Sequence, residues 1–128
     1  MALDSSVVVA VLEKEEGHSL LVEAMAERRA VIGPPTLFEA AMVLASRNGL
    51  SAIPALARFL DAHGIGLVDF EETHVDAAVR AFLRYGKGRH PAGLNYGDCM
   101  TYAIAKVAGA PLLFVGGDFS KTDVEAAI

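Results

Sequence analysis

Cysteine is nearly absent. Cys99 is alone in a chain of 128 residues, which excludes a disulfide framework and a cysteine zinc site. A lone thiol also fits a reducing, cytoplasmic compartment. Long apolar runs are missing too. The longest, such as Val7 to Leu12 and Ala40 to Ala45, fall far short of the ~18 residues a membrane span needs. No basic stretch precedes the first apolar run, so the N-terminus does not have the pattern of a signal peptide. Positive charge is in deficit, with 11 Lys+Arg against 16 Asp+Glu and a net charge of −5. That argues against a passive nucleic-acid binder. It leaves room for an enzyme that holds divalent cations in an acidic pocket. Internal repeats, low-complexity segments and interdomain linkers are also absent, so residues 1–128 are expected to form one domain.

What is present is apolar and alternating. Hydrophobic residues make up 53% and charged residues 21%, which excludes a disordered chain. Met1 to Leu3 is a very short first strand ending at Asp4. Ser5 and Ser6 then lead a run from Val7 to Leu12, expected as a helix because serine caps well and a second strand would leave no crossover. His18 to Ala30 is amphipathic at helical spacing. Ala30 to Gly33 is a strand closed by Pro34 and Pro35. Thr36-Leu37-Phe38-Glu39 has a capping-box pattern and opens a helix to Arg47. A helix over Ser51 to His63, a strand over Ile65 to Phe70, and a helix over Thr73 to Tyr85 opened by a Thr-x-x-Asp box follow. Gly86 to Leu94 is a loop rich in glycine and basic residues. Asn95-Tyr96-Gly97-Asp98 opens a helix to Val107, and Pro111 to Val115 is an apolar strand. The tail is expected to form a last short helix or an edge strand. Strands separated by helices imply βαβ units, hence a parallel sheet covered by helices on both faces.

In such sheets ligands bind beyond the carboxyl ends of the strands. Four acids fall at such places. Asp4 ends the first strand, Glu39 follows the second after a loop from Pro34 to Phe38, Asp98 opens the helix before the last strong strand, and Asp118 follows that strand. Crowded carboxylates repel one another unless a cation is present. Carboxylate oxygens suit Mg²⁺ or Mn²⁺, and no His or Cys pair offers a softer site. Such an ion would lower the pKa of a bound water and stabilise charge on a phosphodiester under attack. Each acid has a plainer role open to it: Glu39 in a capping box, Asp98 at a helix N-terminus, Asp4 as an N-cap and Asp118 in a turn. The four together are less easily explained that way.

Around them stand weaker candidates. Ser6 could orient Asp4 or a water, or act only as a cap. Between Asp76 and Asp98 there is no acid, and that window holds Arg80, Arg84, Lys87, Arg89 and His90. It is either a solvated face or a rim that contacts phosphates. Tyr85 and Tyr96 flank the loop, where they could stack on unpaired bases or simply pack. Cys99 is expected in the core. His18, His63 and His74 are expected at the surface or at helix ends.

The order Asp4-Ser5-Ser6, Thr36-x-x-Glu39-Ala40, Leu94-Asn95-Tyr96-Gly97-Asp98-Cys99 and Leu112-Leu113-Phe114-x-Gly-x-Asp118-Phe119 with Thr122-Asp123 resembles the PIN-domain ribonucleases, and within them the VapC-type toxins of toxin–antitoxin pairs. The segment Tyr85 to Ala92 is similar to that subgroup too. The resemblance implies a three-layer α/β/α sandwich around a twisted, mainly parallel sheet. It also implies a metal-dependent endoribonuclease using Mg²⁺ or Mn²⁺. Its acids would map onto Asp4, Glu39, Asp98 and Asp118, with Asp4 and Asp98 as the main metal ligands. Ser6 would support them, and Asp123 would be a second-rank member of the site. Arg80, Arg84, Lys87, Arg89 and Tyr96 would hold the RNA substrate. The resemblance further implies a cognate antitoxin partner and a homodimer. Two departures stand out: only three residues precede Asp4, and Gly117 stands where many relatives carry Asn.

Two other readings are open. The same fold could be a non-catalytic module that binds RNA or protein. An aspartyl-phosphate protein is the third. A phosphohydrolase of that kind would want a second Asp two residues after Asp4, where Ser6 stands. A receiver would want a Lys after the last strong strand, where Gly116-Gly117 stands.

Overall fold

A computed structural model describes residues 1–128. Its elements run β1 (Ala2–Leu3), α1 (Ser5–Leu12), α2 (His18–Glu27), β2 (Val31–Ile32), α3 (Pro34–Asn48), α4 (Ala52–His63), β3 (Gly66–Leu67), α5 (Glu72–Tyr85), α6 (Tyr96–Ala108) and β4 (Leu112–Leu113). Single 3₁₀ turns occupy Gly49–Ser51 and Phe119–Lys121. The four strands form one parallel sheet in the order β3-β2-β1-β4. The chain therefore steps outward from β1 through β2 to β3, then returns to the other side of β1. That reversal creates a switch point between β1 and β4, where a parallel sheet leaves a crevice for a ligand.

Alternation along the strands sorts the core into two layers. Leu3, Ile32 and Leu113 face one side and pack with apolar residues of α1 to α4, among them Val7, Leu21, Leu44 and Phe59. Ala2 and Leu112 face the other side and pack with Ala81, Tyr85, Tyr102 and Ile104 of α5 and α6. Leu3, Ile32, Leu112 and Leu113 are almost wholly buried, each contributing roughly 1.5–3 kcal/mol by removal from water. The expected α/β/α sandwich is what forms. The tail adds to it: Glu125 C=O accepts from Leu112 N–H at 2.8 Å, and Ala127 N–H donates to Leu112 C=O at 2.9 Å. A parallel bridge at Ala126 thus lies along the free side of β4.

Several local expectations are corrected. The strands are two residues each, shorter than the apolar runs that contain them. Pro34 and Pro35 do not close a strand but form the first turn of α3, where a missing N–H costs nothing. The Thr36 capping box does not exist. Gly33 precedes α3, and Thr36, inside the helix, is buried with its Oγ1 2.9 Å from the equally buried Thr101 Oγ1 of α6. Glu39 is therefore on a helix and free of any capping duty. The Thr73 box gives way as well: α5 opens at Glu71, whose N–H donates to His74 Nδ1 at 2.9 Å. His74 is at a helix end as expected, but buried.

Candidate active site

Asp4 is placed by β1 and used first as the N-cap of α1. Its Oδ2 accepts from Ser6 N–H at 3.1 Å and from Ser6 Oγ at 2.6 Å. Ser6 Oγ in turn accepts from Val115 N–H at 3.0 Å, so one hydroxyl ties Asp4 to the exit of β4. The other oxygen, Asp4 Oδ1, is buried without a hydrogen-bond partner. Leaving such an atom unsatisfied costs free energy, and a carboxylate oxygen more than most.

Asp98 is placed by the N-terminus of α6. It forms a reciprocal box with Asn95: Asp98 N–H donates to Asn95 Oδ1 at 2.8 Å, and Asn95 N–H donates to Asp98 Oδ2 at 3.0 Å. The plainer reading of Asp98 as a helix-end acid is therefore correct for its hydrogen bonds. Burial pushes the Asp98 carboxyl up to about 6. The Asn95 hydrogen bond opposes this, while the negative charges of Asp4, Asp118 and Glu39 add to it. Each of the other three acids thus lies close enough to bear on its charge.

Glu39 comes from α3, and Ser5 Oγ donates to its Oε1 at 2.5 Å. The Thr36–Thr101 pair clamps α3 to α6 one turn away from both acids, since Thr36 is three residues before Glu39 and Thr101 three after Asp98. Asp118 lies exposed on the turn after β4, between Gly116 at φ +101° and the buried Phe119. Phe119 anchors the turn by packing on Phe114 at 5.4 Å between ring centres.

All four predicted acids therefore gather at the switch point, and no Lys, Arg or His forms an ion pair with any of them. An all-oxygen donor set with an unpartnered buried Asp4 oxygen is the chemistry a hard divalent cation requires. In their present rotamers no three carboxylates close on a single point. Glu39 is turned to Ser5 and Asp98 to Asn95.

The remaining predicted residues divide. Lys87 and Tyr96 share an apolar groove of about 590 Å³ with Asn95, and Tyr96 is 84% exposed beside Asp98. Arg80 is engaged with Asp76 at 2.8 Å. Arg84 pairs with Asp123 at 3.5 Å and lies over the Tyr85 ring, while Arg89 lies over Phe82. Tyr85 cannot stack on a ligand. It is buried, and its hydroxyl accepts from Asp123 N–H at 3.1 Å. Cys99 is in the core as expected.

Asp123 is not in the acidic cluster. It accepts from Tyr102 Oη at 2.6 Å and Lys106 Nζ at 3.1 Å, one and two turns along α6 from Asp98. Sequence reasoning missed Ser5 and the Thr36–Thr101 clamp. Nothing distinguishes Ser5 from Ser6 before the helix phase is known, and the threonines are 65 residues apart.

Comparison with known proteins gives the same reading. The family model for the PIN domain matches residues 1–125. Ribonuclease VapC36 of Mycobacterium tuberculosis is 45% identical over 127 residues, covering 98% of this chain and 91% of the relative. Ribonuclease VapC of Mycolicibacterium smegmatis is 44% identical over 127 residues, covering 98% of each. Among solved structures, M. tuberculosis VapC20, described as a sarcin-ricin loop cleaving toxin, superposes with a TM-score of 0.76 at 17% identity, covering 96% of this chain and 95% of that one. VapBC2 of Rickettsia felis, solved with a fragment of its promoter DNA, gives 0.77 at 14% identity, covering 98% and 94%. The structures establish the fold and the sequences the family: this chain belongs to the PIN-domain family, among its VapC ribonucleases.

Proposed function

We propose that this VapC-family chain is the endoribonuclease toxin of a toxin–antitoxin pair, acting in the cytoplasm. In this reading it hydrolyses RNA phosphodiesters with Mg²⁺ or Mn²⁺ held by Asp4 and Asp98. The observation that carries the reading is a set of four carboxylates without a cationic partner, one of which, Asp4, has a buried oxygen with no hydrogen bond. A bound divalent ion supplies activation of water and neutralisation of charge on the phosphate. The chain's own residues do the rest. Asp4 offers Oδ1 while Ser6 holds Oδ2 and fixes the orientation of the carboxylate. Asp98 must be deprotonated to serve as a ligand. Glu39, steadied by Ser5, accepts a proton from the attacking water or orients it. Asp118 closes the open side of the pocket. Tyr96 offers a free ring for an unpaired base, and Lys87, in the same groove, is a candidate for the phosphates, with Arg89 two residues on. Arg80 and Arg84, already engaged with acids, contribute to the general field more than to contact.

The same acidic pocket suits an arginine from an antitoxin, a cation that would silence it by charge-assisted hydrogen bonds. The α5 face suits a second copy: Val75, Val79 and Leu83 are each about half exposed along one helix, at 51%, 52% and 55%. Loss of the dimer in Val79→Asp, followed by sedimentation, would support that placement.

The decisive experiment incubates purified, antitoxin-free protein with end-labelled total RNA in Mg²⁺, Mn²⁺ or EDTA. Discrete cuts are expected with metal only, leaving 5′ phosphate and 3′ hydroxyl ends, and none from Asp98→Asn. Cyclic phosphate ends would refute the mechanism. Binding of RNA without cleavage would turn the reading to a non-catalytic module.

A further inference from the structure

Gly97 occupies the second position of α6, buried, with an ordinary right-handed helical backbone. Nothing in its conformation asks for glycine. Helix formation argues against it, because glycine is the poorest helix former after proline. The reason for its presence lies across the interface with α3. A methyl group built on Gly97 would collide with Glu39 Oε2 and stand 2.8 Å from its Cδ and 3.1 Å from its Oε1. The Glu39 carboxylate thus packs against the bare backbone of the first turn of α6, one residue before Asp98. Its other oxygen is held by Ser5 Oγ.

We propose that Gly97 is a positioning residue: the missing side chain is the seat that lets Glu39 approach Asp98. The proposal deepens the site reading above and rests on it. Glu39 is the end of a flexible side chain, and a methyl group at position 97 would displace it rather than break the helix pair. Stability and function should therefore move apart.

The test is a cycle of Gly97→Ala, Glu39→Ala and the double variant, followed by melting temperature, RNA cleavage and the rise in melting temperature on adding Mn²⁺. Gly97→Ala is expected to melt at or above the parent temperature, since alanine favours the helix. It should lose about tenfold or more in cleavage and part of the Mn²⁺ effect, a loss of the size typical when the support of a metal site is disturbed. In the Glu39→Ala background the alanine at 97 should cost no further cleavage or Mn²⁺ effect, because the group it displaces is gone. Adding Glu39→Asp, one methylene shorter, to Gly97→Ala should restore part of the loss.

Gly97→Ala with cleavage within twofold of the parent would overturn the proposal, as would an equal loss in both backgrounds. If Gly97→Ala fails to fold, recovery of folding by Glu39→Ala supports the seat, and failure in both backgrounds overturns it. An active Glu39→Ala would refute instead the role of Glu39 in the site, a result separate from any failure of the seat.

Discussion

Two aspartates on or against the same helix have opposite surroundings. Asp98, at the start of α6, has no cationic partner, faces Asp4, Asp118 and Glu39, and is pushed up to about 6 by burial and by those charges. Asp123 meets α6 further along. Burial would raise its carboxyl, but hydrogen bonds from Tyr102 and Lys106 and the charges of Lys106 and Arg84 outweigh that and hold it low. One is an anion whose compensation must come from outside the chain, the other an anion already satisfied. Folding needs the second kind. The first kind costs stability, which makes it a candidate for function.

Breaking each member in turn should give contrasting results. Asp98→Asn is expected to lower cleavage roughly a thousandfold, the several kcal/mol that a metal ion supplies to a reaction of this kind. Its metal-free melting temperature should be unchanged or higher, because a repelled charge has gone. A collapse of the melting temperature would make Asp98 a structural residue. Asp123→Asn should do the reverse. A loss of about 1–2 kcal/mol in urea denaturation is expected for weakening its partly exposed hydrogen bonds to Tyr102 and Lys106. Cleavage per folded molecule should stay within a factor of two. A thousandfold loss there would return Asp123 to the site.

A further contrast is in pH. Asp98 ionises near 3.8 when unexposed to the site and near 6 in the folded chain. Between those values the folded state holds more protons, so its contribution to stability falls as pH rises from 3.8 to about 6. Asp123 contributes in the opposite sense, with stability lost as pH falls below the ordinary carboxylate range. Melting curves of the metal-free protein across pH 4 to 7 should therefore flatten in Asp98→Asn. An identical profile in that variant would place the titration elsewhere.

Asp4 and Asp118 were legible in the sequence because position after a strand is a chain property: Asp4 follows β1 directly and Asp118 lies on the turn beyond β4. At Glu39 the same logic rested on a loop from Pro34 to Phe38, which the structure replaces with the first turn of α3. Thr-x-x-Glu has the form of a capping box, but two prolines start the helix earlier, and tertiary contact with Thr101 uses the threonine hydroxyl instead. Asp123 failed for a related reason. Its place in the sequence after Asp118 suggests the same site, while the turn at Phe119 carries it to the side of α6. The strand lengths were overestimated because an apolar run marks burial, and only two residues of each run make ladder bonds. What could not be read were contacts between residues far apart in the chain, such as Glu39 against Gly97.

The tail that crosses Leu112 has a consequence for the life of the protein outside its site. β4 is the outer strand on that side of the sheet, and its hydrogen-bonding groups would otherwise be open to solvent. An open strand edge is a template on which another chain can add. By pairing through Glu125 and Ala127, the last residues occupy that edge with the protein's own backbone. They act as a guard against edge-to-edge aggregation, and a chain trimmed before Val124 should precipitate at concentrations the full chain tolerates.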